Sequence, residues 1–248
     1  MIHYHGGPVT PTDAALRLWT ARHACVSFAY RQQTELAFTI AQTVMLDNGA
    51  FTEWKKGGAV DFAAYAEWVR EWQQHPAFDF ALIPDVIDGG EEENDALLDA
   101  WQDWGIPSGV PVWHMHESLE RLARLANDYP RVALGSSGAF SEIGTGAWWD
   151  RMADAMGVAC DDQGRPLTRL HGLRMLSPTV FSHIPLASAD STNVARNIGI
   201  DRAWKGPYRP VSNATRALVL AERIESHATA ARWNRDARGT QHNLELIG

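Results

Sequence analysis

Three short apolar runs of this 248-residue chain each end in an aspartate set among turn-forming residues. The runs lead to Asp47, Asp85 and Asp190. An apolar run that turns acidic at a glycine or proline boundary is typical of a buried strand that delivers a carboxylate to its C-terminal end. In parallel α/β proteins, ligands bind at those strand ends. Three carboxylates meeting there indicate acid–base or nucleophilic chemistry on an uncharged or cationic centre.

Other hydrogen-bonding residues also fall at expected strand ends, including His114, His116, Arg174 and the small residues 135–138 (GSSG). The set is rich in groups that can hydrogen-bond a heterocycle and poor in groups that hold a phosphate. The small residues leave room for a flat ligand. A single aspartate at a strand end is often only the cap of the next helix. Three in one chain make capping alone a weak explanation.

Eight apolar runs predict the strands that carry these residues. They lie at residues 2–5, 24–30, 43–47, 80–85, 110–114, 132–135, 170–175 and 186–190. Segments between them alternate with helical spacing, and strands alternating with helices predict a parallel sheet. A TIM-type barrel has eight parallel strands. The sequence therefore predicts an α/β fold with a single (β/α)8 TIM-type barrel domain over residues 1–248. A doubly wound open sheet is the competing fold, but residues 5–8 (HGGP) do not form its glycine-rich phosphate turn.

Helical spacing of apolar residues is clearest at residues 62–72, 96–101, 119–126 and 148–156. Ser118 is the expected N-cap of the third of these helices, with Arg121 and Arg124 facing water. A C-terminal helical segment is expected at about residues 214–235.

Composition and charge limit the classes of function. The chain is 45% hydrophobic and 21% charged, which is ordinary for a globular domain. Cys25 and Cys160 are far apart and fit no metal-ligand spacing, which indicates a reducing compartment. No signal peptide and no run of about 18 apolar residues is found, so we expect a cytoplasmic protein without a membrane partner.

The net charge of −8 is distributed unevenly along the sequence. From Arg165 to the end there are 12 basic against 6 acidic residues, and the preceding part carries −14. A basic final third permits a local polyanion-binding surface on an acidic body. Ordinary solvated helix faces explain the same charge count. The sequence leaves open whether the protein forms a homodimer.

Four motifs in consistent order resemble the tRNA-guanine transglycosylases and, more closely, the short phage-type DNA-guanine transglycosylases. Residues 46–51 (LDNGAF) are similar to that family's Asp-Ser-Gly-Gly-Phe strand end. Residues 83–86 (IPDV) take the place of its next acidic strand end. Residues 132–138 (VALGSSG) resemble its glycine-rich sixth strand end, and residues 193–199 (NVARNIG) resemble its Asn-Ala-Arg-Asn-Gly element. The family has a modified (β/α)8 barrel and exchanges guanine for a 7-deazaguanine base.

The resemblance implies a role for each matching position. Asp190 would be the nucleophile that attacks C1′ of the nucleotide and expels guanine, and Asp47 would be the general acid and base. Asp85 would accept hydrogen bonds from the base. Further substrate-binding residues would be Asn48, Gly49, Phe51, His114, Gly135, Ser136 and Arg174. Nucleic acid would be contacted by Asn193, Arg196, Asn197, Arg202 and Lys205, with Arg209 a further candidate.

The resemblance also bears on cofactor and partner. The family's zinc site needs three cysteines and a histidine, and two cysteines cannot supply it, so no cofactor is expected. Because the zinc region helps the tRNA enzymes to bind tRNA, DNA is the more strongly expected polymer, together with a 7-deazaguanine base. The protein would then act in the cytoplasm, or in a host's cytoplasm if the chain is viral.

Two other functions compete. His3, His5, His114 and Asp190 also follow the order seen in barrel metal hydrolases, where imidazoles and a terminal aspartate hold metal ions that activate water. Against this, the sixth strand ends in Gly135 and serines rather than the expected histidine. The second alternative is a barrel that only binds a base or nucleic acid.

Overall fold

The computed structural model describes residues 1–207 and 209–234, and these form one parallel sheet surrounded by helices. The strands are β1 Ile2–Gly6, β2 His23–Ser27, β3 Thr43–Asp47, β4 Phe78–Leu82, β5 Gly109–Val110, β6 Val112–His114, β7 Arg131–Gly135, β8 Arg169–Gly172 and β9 Ser188–Ser191. The predicted α/β barrel class is confirmed. No helix in the described ranges is long and apolar enough to cross a bilayer.

The sheet is a nearly closed barrel. Its strand order is β5-β4-β3-β2-β1-β9-β8-β7-β6, so the two ends of the order are consecutive in the chain. Only Pro111 separates β5 from β6, and the two together correspond to one predicted strand. The carbonyl of Pro111 accepts the N–H of Ala133 at 2.9 Å, and that of Val110 accepts the N–H of Ile83 at 2.9 Å. This split strand therefore joins both sides of the sheet.

Helices fill the connections between the strands. They are α1 Thr12–Trp19, α2 Thr34–Ile40, α3 Ala50–Lys56, α4 Phe62–Trp72, α5 Glu91–Asp103, α6 Leu119–Asp128, α7 Gly146–Ala159, α8 Pro178–Phe181, α9 Asn193–Asn197 and α10 Asn213–Glu225. The Ser118 hydroxyl accepts the N–H of Arg121, so the predicted N-cap of α6 is confirmed. Arg124 is exposed as expected, but Arg121 is buried, which corrects the expectation that it faces water.

Alternation of side chains along each strand divides the core into two layers. The inner layer fills the barrel and includes Tyr4, Met45, Phe80 and Val112. The outer layer packs the strands against the helices and contains most of the tryptophans. Because Tyr4 faces inward, His3 on one side of it and His5 on the other face outward.

A cluster of polar side chains closes the end of the barrel at which the strands begin, which we call the floor. The register between β3 and β4 shifts beside Asp79, which has no partner in β3. The hydroxyl of Tyr4 donates to the Asp79 carboxylate, and Arg131 approaches the same carboxylate at 3.1 Å. Arg131 also lies 4.3 Å from the centre of the Phe80 ring. The buried charge of Arg131 is therefore paired with the partly buried Asp79, as the burial of a charge requires.

The C-terminal helix is shorter than predicted. Helix α10 spans Asn213–Glu225, whereas the helical spacing predicts a helical segment at about residues 214–235. Beyond it, the Thr229 hydroxyl donates to the carbonyl of Ile184 at 2.8 Å, and the N–H of Trp233 donates to the carbonyl of Gly164 at 2.8 Å. These contacts tie the chain to the barrel and replace helical bonds. Residue 235 lies outside the described residues, and the single-domain assignment stays a prediction.

We predict that Gly164→Ala destabilises the fold. Gly164 has φ +73°, and an added Cβ would lie 2.1 Å from the carbonyl oxygen of Trp233. Strained backbone of this kind costs about 1–3 kcal/mol, which urea denaturation would measure. Gly157→Ala is the matched control, because nothing lies within 4 Å of its added Cβ and it sits in α7. That control should gain roughly 0.5–1 kcal/mol. Equal stability of the two variants would contradict the close contact.

Candidate active site

The C-terminal mouth of the barrel holds a cavity of about 850 Å³. All three predicted aspartates, Asp47, Asp85 and Asp190, line it. The predicted residues that also line it are Asn48, Phe51, His114, Gly135, Ser136, Arg174 and Arg196. A cavity of this size suits a small organic ligand or a single nucleotide. The structure thus collects residues from six strand ends, those of β3, β4, β6, β7, β8 and β9, around one space.

Asp47 closes β3 and points into the cavity. Burial, with smaller contributions from the charges of Asp190 and Asp85, raises the pKa of Asp47 from 3.8 to about 7. The Gly49 N–H, 3.3 Å from Asp47 Oδ2, and the nearby Ser27 hydroxyl oppose this rise. A carboxyl with such a pKa is present in both protonation states near neutral pH. It is suited to give and to take a proton.

Asp190 lies on β9, on the opposite side of β1 from β2 and β3. Its Oδ1 accepts the backbone N–H of Arg174 at 3.1 Å and lies 3.4 Å from Nε2 of His171. His171 is buried, and its Nδ1 is 2.8 Å from the Ser188 hydroxyl. These contacts orient the carboxylate at the cavity wall and leave it partly exposed to the cavity.

Asp85 follows β4 and is held by two side chains. Asn48 Nδ2 donates to Asp85 Oδ1 at 2.6 Å, and His114 Nε2 lies 2.9 Å from Asp85 Oδ2. An ionised carboxylate only accepts hydrogen bonds, so Nε2 of His114 carries a proton when Asp85 is ionised. His114 is 2% exposed, and its other ring nitrogen has no hydrogen-bond partner. Asn48, Asp85 and His114 form one polar unit from three neighbouring strand ends.

The Asn48–Gly49 turn connects Asp47 directly to α3. Asn48 Oδ1 accepts the N–H of Ala50 at 2.9 Å, and its Nδ2 also donates to the carbonyl of Ile83 at 3.0 Å. Gly49 has φ +80°, and an added Cβ would lie 3.0 Å from the backbone nitrogen of Ala29. Gly49 does not itself line the cavity, and its role is to permit this tight turn.

Arg174 has a backbone φ of +60°, which is unusual for a residue with a side chain. Its guanidinium lies 4.0 Å from the centre of the Phe51 ring and donates to the Ser136 carbonyl at 3.2 Å. Burial lowers the pKa of Arg174, and the charge of Asp190 opposes this effect. The Ser136 hydroxyl accepts Nε1–H of Trp148 at 2.9 Å, so Trp148 orients this wall of the cavity.

A buried polar network behind His114 escaped the sequence analysis. Glu117 accepts the backbone N–H of His114 at 2.8 Å and pairs with Arg121 at 2.7 Å. Asn94 donates to Glu117 at 2.9 Å and accepts the N–H of Val86 at 2.8 Å. The network therefore joins the loops after β4 and β6. The i, i+4 spacing of Glu117 and Arg121 was the available signal, but it also fits an exposed helix pair.

The predicted nucleic-acid residues are not all at the mouth. Arg196 on α9 lines the cavity and is exposed. Asn193 and Asn197 do not line it, and Asn197 Nδ2 donates to the carbonyl of Asn193 at 2.9 Å. Arg202, Lys205 and Arg209 are exposed beyond α9 and do not line the cavity either.

The histidines of the metal-hydrolase alternative do not meet at the mouth. His5 faces the helices, and its Nε2 lies 2.9 Å from Glu225 Oε1 on α10. His3 packs on Phe181, and burial lowers the pKa of His3 to about 4. Their alternation with the inward Tyr4 is the physical reason, and it separates both from His114. No group of three or more metal-binding side chains occurs in residues 1–207 and 209–234.

Comparison with known proteins gives no relative. No protein-family model matches the chain, and neither a curated protein nor a solved structure matches it. Function therefore rests on the cavity and its residues.

We predict that Asp47→Asn stabilises the protein in a pH-dependent way. The folded-state pKa of Asp47 is raised from 3.8 to about 7, so its stabilising contribution is full below pH 3.8 and is lost as pH rises through 7. An asparagine does not ionise. The free energy of unfolding of the variant, relative to the native protein, should therefore rise from pH 4 to pH 8. The exposed Asp154→Asn provides the control. A pH-independent difference for Asp47→Asn would contradict the raised pKa.

We also predict that Glu117→Ala is strongly destabilising. The change removes the fully buried one of two carboxylates that pair with Arg121, the other being Asp95 at 2.9 Å, and it leaves the backbone N–H of His114 without its acceptor. Loss of one partner of a buried ion pair costs up to about 3–5 kcal/mol. Urea denaturation measures the effect. The control is Arg165→Ala, which removes an exposed ion pair with Asp161 and should cost at most about 1 kcal/mol. Equal effects would show that the network does not stabilise the fold.

Proposed function

We propose that this barrel is a pentosyltransferase that exchanges guanine in a nucleic acid for a 7-deazaguanine base. One observation carries the proposal: Asp47, Asp85 and Asp190 line the same cavity, each in a different environment. The order and surroundings of these aspartates agree with the roles implied by the resemblance to guanine transglycosylases. Carboxylates in distinct environments can divide nucleophilic, proton-transfer and binding work between them.

Asp190 is the proposed nucleophile. Its carboxylate attacks C1′ of the target nucleotide, the C1′–N9 bond breaks, and the bonding electron pair leaves with the purine. A carboxylate suits this step because it stabilises the cationic sugar and then forms a covalent glycosyl ester. The N–H of Arg174, 3.1 Å from Oδ1, holds the carboxylate in one orientation.

Asp47 is the proposed proton carrier. Protonated Asp47 supplies the proton that the departing guanine needs at its ring nitrogen. The resulting carboxylate then accepts the N9 proton of the entering base as that base attacks C1′ and releases Asp190. Asp47 is thereby reprotonated, and the exchange consumes no net proton. The pKa of about 7 places both forms of Asp47 within reach at neutral pH.

Asp85, with Asn48 and His114, is the proposed base-binding unit. Each oxygen of the Asp85 carboxylate accepts one hydrogen bond from its neighbours, which leaves further lone pairs for the ring N–H and exocyclic amine of a guanine-like base. Gly135 and Ser136 form the adjoining wall. An added Cβ at Gly135 would lie 3.1 Å from His114 Nδ1, so glycine keeps room for the imidazole.

DNA is the proposed polymer in preference to tRNA, because two cysteines cannot form the zinc site of the tRNA enzymes. Both cysteines are free and buried. The proposed reaction needs no cofactor, and we place it in the cytoplasm of the cell or of a viral host.

We predict that Asp190→Asn abolishes base exchange while the fold is kept. An amide cannot act as the nucleophile, so exchange should fall by at least about 10³-fold. The assay is incorporation of a labelled 7-deazaguanine base into guanine-containing DNA, with tRNA in parallel.

Asp154→Asn is the matched control, since Asp154 is exposed on α7 away from the cavity. It should keep native activity. Full exchange by Asp190→Asn would remove this residue from the mechanism. Absence of exchange by the native protein on both polymers, with tight binding of guanine, would instead favour a barrel that only binds.

A further inference from the structure

The charged residues lining the cavity differ in sign between its interior and its rim. Asp47, Asp85 and Asp190 are buried or partly buried. The cations lining the cavity are Lys55, Lys56, Arg174 and Arg196. Three of these four, all but Arg174, are exposed. An acidic interior with a basic rim suits a ligand whose uncharged part enters and whose negative charges remain outside.

Helix α3 brings aromatic and basic side chains together at one side of this rim. Lys55 Nζ lies 4.8 Å from the centre of the Phe51 ring, and Lys56 Nζ lies 5.5 Å from the centre of the Tyr30 ring. The Trp54 ring is 5.9 Å from that of Phe51. We call Tyr30, Phe51, Trp54, Lys55 and Lys56 the α3 platform.

The exposure of the platform is unusual for this molecule. Trp54 is 42% exposed and Tyr30 is 37% exposed. They are the two aromatic members of the set of exposed large hydrophobic residues in the described chain. Tyr30 lines the cavity beside Lys56, and Trp54 precedes Lys55 in α3, whereas most other tryptophans are packed between strands and helices. Exposed aromatic rings interleaved with cations are the features that proteins use to bind single-stranded nucleic acid.

The charges of the platform are available to a ligand. Lys56 pairs with Glu53 at 2.8 Å in an exposed i, i+3 arrangement, which contributes little and is readily exchanged. Lys55 is in contact with a ring rather than with a carboxylate. With a net charge of −8, the protein as a whole repels polyanions. Attraction of a polyanion therefore depends on local clusters such as this one.

We propose that the α3 platform binds the nucleotides next to the target nucleotide in a single-stranded nucleic acid. The two lysines contact phosphates, and Trp54 and Tyr30 stack on flanking bases. This inference rests on the proposed function for the nucleotide that occupies the cavity. It assigns binding of the nucleic-acid strand to α3, whereas the sequence predicts contacts from Asn193, Arg196, Asn197, Arg202 and Lys205.

The turn before α3 explains how such binding would assist the reaction. One residue, Asn48, separates Asp47 from the Gly49 turn that starts α3, and Asn48 is itself bonded to Asp85. The platform is therefore fixed relative to two of the three carboxylates. A nucleic-acid strand bound to the platform is therefore held at a defined distance from the cavity. A single strand also presents a target base that is not stacked in a duplex.

The test measures binding without any exchange reaction. A fluorescein-labelled single-stranded DNA of about 20 nucleotides and its duplex are titrated by anisotropy at about 50 to 200 mM salt. Lys55→Glu with Lys56→Glu should weaken single-strand binding at least about tenfold. Loss of two phosphate contacts should also reduce the slope of log K against log salt by about 1.4. Trp54→Ala should weaken binding about tenfold with an unchanged slope.

The charge-matched control is Arg17→Glu with Arg169→Glu. Both arginines are exposed, one in the last turn of α1 and the other at the start of β8, at the opposite end of the barrel. The control should change binding less than about twofold. Thermal unfolding checks that every variant is folded.

Equal effects of the α3 pair and the control pair, or no binding by the native protein, would overturn the proposal. Equal binding of duplex and single strand, unaffected by Trp54→Ala, would overturn the single-strand assignment. If the protein binds single-stranded DNA through α3 but exchanges no base, the proposed function is refuted. The proposal that the α3 platform binds single-stranded nucleic acid then stands.

Discussion

Closure of a parallel sheet is the constraint on which the rest of the molecule depends. All strands begin at one end of the barrel and finish at the other, so residues far apart in sequence finish around one opening. Alternation then decides which side chains enter it. Asp47 and Asp190 line the cavity, whereas His3 and His5 face the helices. The same rule of alternation thus assembles one candidate site and separates the other.

Charged side chains are paired at the floor of the barrel, whereas at the mouth the ionisation of a carboxyl group is disfavoured. At the floor, Asp79 is matched by Tyr4 and Arg131, and its contacts stabilise the sheet. At the mouth, Asp47 has a raised pKa because burial and like charges oppose its ionisation. Such unfavourable electrostatics is typical of functional sites rather than of structural ion pairs. The difference supports placing the chemistry at the C-terminal end.

Strand positions, the barrel class and the three aspartates at one cavity could be inferred from apolar runs and turn residues. What could not be inferred depends on tertiary contacts. Arg121 has the spacing of an exposed residue, yet Glu117 gives it a buried partner. The spacing after α10 looked helical, but hydrogen bonds from Thr229 and Trp233 to the barrel end the helix earlier. The local sequence pattern does not show which tertiary partner a residue meets in the fold. That partner determines whether the residue is buried and where the helix ends.

Pro111 has one more implication. A proline has no N–H, so the split strand between β4 and β7 lacks one ladder bond at this position. Local opening of the barrel wall should therefore be easiest at this junction between β5 and β6, which we call the seam. His114 is on the segment that follows the seam, and Glu117 and Asn94 anchor that segment to the loop after β4. The buried network thus cross-links the two segments that flank this seam, and it anchors the backbone of His114, whose imidazole lines the cavity.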